Sequence, residues 1–284
     1  MTRTETQRGF SLLELIVVMM VMAILGVSAM TFFRPALDSY FDSRRRADLT
    51  DMADTALRRM SREVRIAVPN SVQIHGTDCF RFVRTLDGGR YRKAEDTTRD
   101  DSEALDLTQI SPRFDVLSPL QAAAGGWLVI GNQTGSDVYA GYNRAAITGS
   151  APVAPELGSI RLFIDGMDSI HAPFSYTDGR FTLVPGDAPV VTYVCSGAGL
   201  DAKTGTGTGA LRRIAGGFVP GETTLGACPV GGDLLARHIS ACRFLYSPKH
   251  GATQQNGFVW MELELAEANE KVHLVHGGHI INLP

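Results

Sequence analysis

The chain has 284 residues, of which 44% are hydrophobic and 20% are charged, as in an ordinary globular protein rather than a disordered one. Its net charge of -3 at pH 7 gives no electrostatic reason to expect nucleic acid as a partner. The hydrophobic residues are unevenly distributed, because the longest apolar run lies near the N-terminus, at residues 10–33.

The apolar run reads FSLLELIVVMMVMAILGVSAMTFF, and Glu14 is its single charged residue. As a helix it would be about 36 Å long, which is enough to cross the hydrocarbon core of a bilayer. It is longer than the apolar region of a secretory signal peptide, and no clear small-x-small cleavage site follows it. The run therefore predicts a transmembrane helix rather than an ordinary signal peptide.

The leader before this run, residues 1–9, is short and polar and carries Arg3 and Arg8. Positive charge marks the side of a membrane helix that stays in the cytoplasm. We therefore expect a single pass through the inner membrane, with the C-terminal body of the chain in the periplasm.

Three residues at the start of the run suggest a further role for this anchor. Gly9 lies where flexible backbone is accessible to a peptidase, and cleavage after it would give Phe10 a free amino group. A carboxylate within an apolar span costs about 3 kcal/mol unless it is paired, so Glu14 is a functional candidate. In a helical stack of subunits, Glu14 of one copy could pair with the Phe10 amine of its neighbour. The alternative is a side chain that snorkels to the membrane surface.

The string RGFSLLEL at residues 8–15 resembles the processing site of type IV prepilins and of type II secretion pseudopilins. The resemblance implies that a prepilin peptidase cleaves after Gly9 and methylates Phe10, and that Glu14 is needed for assembly. It also implies other major and minor pilins and an inner-membrane assembly platform as partners. The chain would be held in membrane lipid first and in the pilus after assembly.

Pro35 follows the apolar run and is expected to kink the helix, because proline lacks an N–H donor and clashes with the preceding turn. The residue before Pro69 avoids helical geometry, so the helix is expected to end at Val68. The predicted divisions are a leader at 1–9, a transmembrane helix at 10–34, an amphipathic periplasmic helix at 35–68 and a β-rich head at 69–284.

The segment 35–68 has the pattern of an amphipathic helix, with apolar residues at three- and four-residue intervals. These residues are Leu49, Met52, Ala53, Ala56, Leu57, Met60 and Val64. Opposite charges four residues apart support the same helix. The pairs are Asp42–Arg46, Asp54–Arg58 and Arg59–Glu63.

Beyond residue 70, short β-like runs alternate with glycine, proline and polar residues. The runs are 72–75, 79–84, 127–130, 160–164, 190–195, 239–246, 258–265 and 272–282. Irregular loops are expected at about 86–110, 131–159 and 198–230. The predicted fold class is α+β, in which a long N-terminal helix precedes a sheet-rich antiparallel β head with long loops, as in pilins.

Both ends of the chain resemble one subgroup, the minor pilin-like proteins of the mannose-sensitive haemagglutinin (MSHA) pilus. The resemblance covers residues 39–72, 239–266 and 271–284. It implies a minor subunit that joins a type IV pilus or primes its assembly. A minor pseudopilin of a type II secretion system shares this plan and is the alternative, and a pilus-borne adhesin is a further one.

Four cysteines, Cys79, Cys195, Cys228 and Cys242, all lie on the side of the apolar run that is expected to face the periplasm. An even number in an oxidising compartment predicts disulfides, with free buried thiols as the alternative. Cys228 and Cys242 are close in sequence and are expected to pair, which leaves Cys79 with Cys195.

No catalytic motif occurs, since the sequence lacks a nucleophile elbow, a zincin helix and a phosphate-binding loop. We therefore expect no enzyme, and only the long loops favour the alternative of an anchored periplasmic hydrolase. No cofactor is expected either. On an unbroken strand His273 and His279 would share one face and His276 would oppose them, which disfavours a metal site. The acidic segment 95–106 lacks EF-hand spacing, but calcium occurs in some pseudopilins and is the alternative for this loop.

Overall fold

The computed structural model describes residues 11–107, 111–120, 125–165, 178–251 and 256–282. The chain divides into two compact units, Met1–Asp48 and Leu49–Pro284, and the boundary falls within the first helix. The predicted α+β class is confirmed, since a long apolar N-terminal helix precedes an antiparallel β region.

The helix and strand bounds in the described residues are as follows. In chain order they are α1 (Leu12–Arg65), β1 (Gln73–His75), β2 (Cys79–Val83), β3 (Asp87–Arg90), β4 (Arg113–Val116), β5 (Trp127–Val129), α2 (Asp137–Ala140), β6 (Arg144–Ala151), β7 (Ile160–Asp165), β8 (Arg180–Val184), β9 (Val190–Ser196), β10 (Leu200–Asp201), β11 (Thr206–Gly207), β12 (Gly209–Gly216), β13 (Asp233–His250), β14 (Asn256–Glu267) and β15 (Glu270–Ile281).

Helix α1 is uninterrupted, and Pro35 lies inside it. The kink that the sequence predicts at Pro35 stays a prediction. The helix ends at Arg65 rather than at Val68, because the backbone after Arg65 already pairs with the end of β2. The Val68 N–H donates to the Val83 carbonyl over 2.8 Å, and Ala67 forms a β-bridge with Arg84.

The first sheet has seven antiparallel strands in the order β1-β2-β9-β12-β13-β14-β15. The part of α1 that begins at Leu49 packs on one face of this sheet, in the core that contains Phe80, Tyr193 and Phe244. Every residue of the predicted amphipathic stripe is buried, except that Met52 is partly buried against the same core. The sheet therefore covers the apolar stripe that the sequence shows.

The second sheet has six strands in the order β3-β8-β5-β6-β7-β4 and closes on itself. Tyr91 bridges Val116, the Arg92 N–H donates to the Asp115 carbonyl over 3.0 Å, and the Leu117 N–H donates to the Arg90 carbonyl over 2.8 Å. These contacts join the two terminal strands into a small barrel with its own core, which includes Phe114, Leu128 and Phe181. Closure removes the exposed sheet edges.

The barrel is an insertion in the first sheet. Its strands, β3 to β8, all lie between β2 and β9, which are neighbours in the first sheet. The Arg84 N–H donates to the Pro189 carbonyl over 2.8 Å, so the chain leaves the first sheet and returns to it at one point. The barrel therefore takes the place of the loop that would join β2 and β9 in a simple hairpin.

All eight predicted β-runs correspond to observed strands, but several expected loops contain regular structure. The segment 86–110 contains β3, the segment 131–159 contains α2 and β6, and the segment 198–230 contains β10, β11 and β12. The loop predictions were wrong there because these strands are rich in glycine and alanine, as in the β12 sequence GALRRIAG. Such residues have low β-propensity, and their pairing partners lie far away in the sequence.

The disulfides join Cys79 to Cys228 and Cys195 to Cys242, so the expected pairs Cys228–Cys242 and Cys79–Cys195 were wrong. Cys79 lies opposite Val194 on the neighbouring strand, and successive residues of a strand point to opposite faces. Cys195 therefore joins the core beneath α1, whereas Cys79 meets Cys228 on the other face. Sequence spacing does not show which face a cysteine occupies.

Peptide mapping under non-reducing conditions tests this connectivity. We expect cross-linked peptides that contain Cys79 with Cys228 and Cys195 with Cys242, whose Cα atoms lie 5.7 Å and 6.6 Å apart, within the range that a disulfide spans. Recovery of a Cys228–Cys242 cross-link from the folded protein would contradict the strand register described above.

A charged group on the buried side of α1 ties the helix to the first sheet. Glu63 Oε2 accepts hydrogen bonds from Arg213 Nε at 2.9 Å and from the Tyr193 hydroxyl at 2.8 Å. Burial raises the pKa of Glu63, but the hydrogen bonds from Arg213 and Tyr193 outweigh it, so the pKa lies below its ordinary value. The folded state therefore favours the ionised carboxylate.

This interaction predicts a pH-dependent loss of stability in the Glu63→Gln variant. Because the folded pKa is depressed, the stabilisation is present above the ordinary pKa of glutamate and is lost as the pH falls through the folded pKa. Near neutral pH we expect Glu63→Gln to lower the free energy of unfolding by about 2 kcal/mol. Urea unfolding followed by the fluorescence of Trp127 and Trp260 measures this, and the gap to wild type should narrow in acid.

Glu262→Gln is the matched control, because Glu262 pairs with the half-exposed His273 over 3.2 Å. For this exposed pair we expect a loss of about 0.5 kcal/mol or less. Equal losses in the two variants, or a Glu63→Gln loss that does not change with pH, would contradict the role assigned to Glu63.

Candidate assembly helix

Helix α1 begins where Ser11 caps its first turn. The Ser11 side-chain oxygen accepts from the Glu14 N–H at 3.2 Å, and its carbonyl accepts from the N–H groups of Glu14 and Leu15. Serine is a favoured residue at this position, because its short side chain satisfies a free N–H of the first turn. Gly9 and Phe10, the residues of the predicted cleavage and methylation site, lie outside the described residues.

Glu14 lies in the first turn of α1 and is exposed. Among the described residues, its carboxylate has no hydrogen-bond or ion-pair partner. A negative charge in the first turn interacts favourably with the helix dipole, but that effect is small and leaves the carboxylate uncompensated in an apolar environment. The geometry therefore leaves Glu14 available to a positive group from outside the described residues.

The side chains around Glu14 form an extensive exposed apolar surface. Leu12 and Phe32, near the two ends of the span, are each 77% exposed. In the most apolar stretch of α1, no side chain is buried among the residues that the structure describes. By length and composition this helix is able to cross a membrane. A surface of this kind requires lipid or other apolar helices to cover it.

Thr31, a polar residue farther along the span, is satisfied within the helix. The Thr31 hydroxyl donates to the carbonyls of Val27 and Ser28, at 3.1 Å and 3.0 Å. Back-bonding of this kind satisfies a hydroxyl in an apolar environment. Glu14 is therefore the ionisable group of the described span that requires a partner.

The exposed apolar surface continues beyond Pro35. Leu37, Tyr40 and Phe41 are each about half exposed, and the Tyr40 and Phe41 rings meet edge to face at 5.7 Å. Charged residues alternate with them, including Asp42, whose carboxylate pairs with Arg45 Nη1 over 2.9 Å. An apolar surface interrupted by charges is typical of a helix that packs on other helices.

The three histidines on β15 do not form a common site. His273 faces Glu262 over 3.2 Å, and His279 meets the Phe258 ring edge to face with ring centroids 4.7 Å apart. His276 lies on the opposite face, toward Asp54 at 3.7 Å. In the part of the chain that the structure describes, no group of three or more His, Cys, Asp or Glu side chains could hold a metal ion.

A second polar group lies on the face of the first sheet away from α1. No pattern in the sequence indicates it. There the guanidinium of Arg81 pairs with Glu222, and Arg81 Nε donates a hydrogen bond to Gln73 Oε1 over 2.9 Å. Arg81 and Glu222 are 141 positions apart, so no local pattern links them.

The comparisons with known proteins agree with the geometry of the helix start. Residues 6–30 match the model of the prokaryotic N-terminal methylation motif. This range includes Gly9, Phe10 and Glu14, and it overlaps the first half of the exposed apolar surface. No curated protein and no solved structure shows a significant match to the chain.

The chain thus carries an N-terminal methylation motif of the type IV prepilin-like kind, followed at once by a helix that is able to span a membrane. The motif is typical of structural subunits rather than of enzymes. Such a motif implies processing by a prepilin peptidase and assembly with other pilin-like subunits.

Proposed function

We propose that the chain is a minor pilin-like subunit of an MSHA-type type IV pilus, similar to MshO, which joins the filament or primes its assembly. The observation that carries the proposal is the position of the methylation motif at the start of an apolar helix that is exposed along its whole span. Lipid covers this surface before assembly, and neighbouring helices cover it in the filament.

In this proposal Glu14 sets the axial position of the subunit relative to its neighbours in the filament. Cleavage after Gly9 gives Phe10 an amino group, which N-methylation leaves basic. The Glu14 carboxylate has no partner in the described residues, and the Phe10 amine of an adjacent subunit supplies one. A charge pair in an apolar environment is strong when both members are present and costly when one is missing, so it selects one axial register of the helices.

The proposed partners follow from this route. Prepilin peptidase removes the leader in the inner membrane, the C-terminal body faces the periplasm, and the assembly platform passes the helix to a bundle of other major and minor pilins. The MSHA-type assignment is supported by the resemblance of residues 39–72, 239–266 and 271–284. The inserted barrel favours a minor subunit, since added bulk hinders uniform helical packing.

A minor pseudopilin of a type II secretion system would use the same motif and helix. Deletion of the gene distinguishes a role in the pilus from a role in type II secretion. Loss of surface pili with normal protein secretion supports the pilus proposal, whereas a secretion defect with normal piliation contradicts it. Normal piliation together with lost adhesion would instead favour a pilus-borne adhesin.

Mass spectrometry of the protein from cells with and without prepilin peptidase tests the processing step. With the peptidase present, we expect the mature chain to begin at Phe10 and to carry one N-methyl group. Without it, the leader 1–9 should remain. Replacement of Gly9 by a larger residue should also preserve the leader, and an intact leader in peptidase-containing cells would refute the proposal.

The Glu14→Ala variant tests the assembly step separately. Because alanine lowers the cost of insertion, membrane fractions should contain as much Glu14→Ala protein as wild type. Sheared filaments should contain at least about tenfold less, since the loss of one charge-assisted pair is worth that factor or more. Glu14→Asp keeps the charge on a shorter side chain and should restore part of the incorporation. Normal incorporation of Glu14→Ala would contradict the pairing.

A further inference from the structure

A cleft of about 480 Å³ lies on the face of the first sheet that α1 does not cover. Its floor is formed by side chains of β2, β9 and β12, including Arg81, Thr192 and Ile214. Its outer wall is formed by residues 217–232, here called the strap, which connects β12 to β13. The volume lies in the range of small-molecule sites.

The strap is held over the sheet at three separate points. The Cys79–Cys228 disulfide is the first. Gln73 Nε2 donates to the Thr223 carbonyl over 2.7 Å, and His75 Nδ1 lies 3.2 Å from the Leu225 carbonyl. A connection without regular secondary structure that is fastened in this way keeps a fixed distance from the sheet, so the cleft is preformed.

A buried guanidinium lines this cleft. Arg81 is only 5% exposed, and its plane lies 4.2 Å from the centroid of the Tyr139 ring. Gln73 and Glu222 engage Nε and Nη1, but Nη2 has no hydrogen-bond partner among the described residues. A buried donor without a partner is costly, and the protein groups around Arg81 leave part of its hydrogen-bonding capacity unused.

The rim of the cleft is formed by residues with little or no side chain. Gly216, Gly217, Gly226 and Ala227 line it. A Cβ atom at each of the three glycines would meet nothing within 4 Å, and none of the three has a positive φ. Neither backbone conformation nor packing therefore requires glycine at these positions. Their effect is to keep this part of the cleft lining free of side chains.

The chemistry of the walls defines the ligand. Arg81 and Glu222 present one positive and one negative charge side by side, so a ligand of single charge is attracted to one and repelled by the other. Val190, Ile214 and Val219 form an apolar wall beside them. A small zwitterion with an apolar body complements all three features at once.

We propose that this cleft binds a free aliphatic amino acid. Its carboxylate accepts from the Arg81 guanidinium that lines the cleft, its ammonium group donates to Glu222, and its side chain packs against the apolar wall. The strap and its disulfide hold the two charged groups and the wall in place before the ligand arrives. This ligand site is independent of the assembly helix and of the proposed pilus function.

Saturation-transfer NMR with L-leucine and the processed full-length protein in detergent micelles tests the proposal. We expect magnetisation transfer to leucine. We expect transfer at least about tenfold weaker to 4-methylpentanoate, which lacks the ammonium group, and to leucinamide, which lacks the carboxylate. Absence of transfer to leucine overturns the proposal. Preferential binding of N-acetylglucosamine, added as a neutral ligand, overturns the assignment to a zwitterion.

Substitutions locate the binding in the cleft. Gly217→Phe fills the cleft and keeps Arg81, so leucine binding should be lost. Val230→Phe is the matched control, since it adds the same ring to the strap at a side chain that is 94% exposed and does not line the cleft. Equal binding by these two variants contradicts the site.

Two further variants test the charged groups. Arg81→Gln should weaken leucine binding about tenfold or more, and Glu222→Gln should remove the preference for leucine over 4-methylpentanoate. Near-ultraviolet circular dichroism and an intact Cys79–Cys228 bond verify folding in each case. If Arg81→Gln does not fold, the comparison of Gly217→Phe with Val230→Phe decides the question.

Discussion

Among the described residues, nothing covers the apolar surface at the start of α1, and this constraint shapes the rest of the protein. Between Leu12 and Phe33, large hydrophobic side chains point outward all around the helix. Water cannot solvate such a surface favourably, so it lies in lipid or against other helices of its own kind. An N-terminal methylation motif overlaps the same residues. Under the proposed function, assembly replaces the lipid around this surface with helices.

The same helix meets a different requirement after Leu49. There the apolar residues are confined to one stripe, and the first sheet buries that stripe within its own unit. The hydrogen bonds from Arg213 and Tyr193 to Glu63 also fix the position of the helix on the sheet, because they form in one register only. One helix thus serves an external apolar environment with its first part and an internal core with its last.

The β region adds two features that assembly alone does not require. A closed barrel is inserted at the connection of β2 to β9, and the strap covers a cleft with a buried arginine on the far face of the first sheet. The cleft lies on the face of the first sheet that does not pack on α1.

The sequence by itself determined the features that depend on local patterns. The apolar run, the amphipathic stripe from Leu49 to Val64 and the eight main strands are apparent from hydrophobicity and periodicity. The motif with Gly9, Phe10 and Glu14 is apparent from its resemblance to the prepilin processing site. These signals suffice because each depends on residues a few positions apart. They also suffice for the α+β class, since a long apolar helix followed by alternating runs permits little else.

Only the tertiary structure decided the features that depend on distant residues. The disulfide pairs follow from the faces of β2 and β9, and the closure of the barrel follows from contacts between Tyr91 and Val116. The Arg81–Glu222 pair likewise joins residues 141 positions apart. Strand order, register and side-chain facing are set by packing of the whole sheet, and no local window of sequence contains that information.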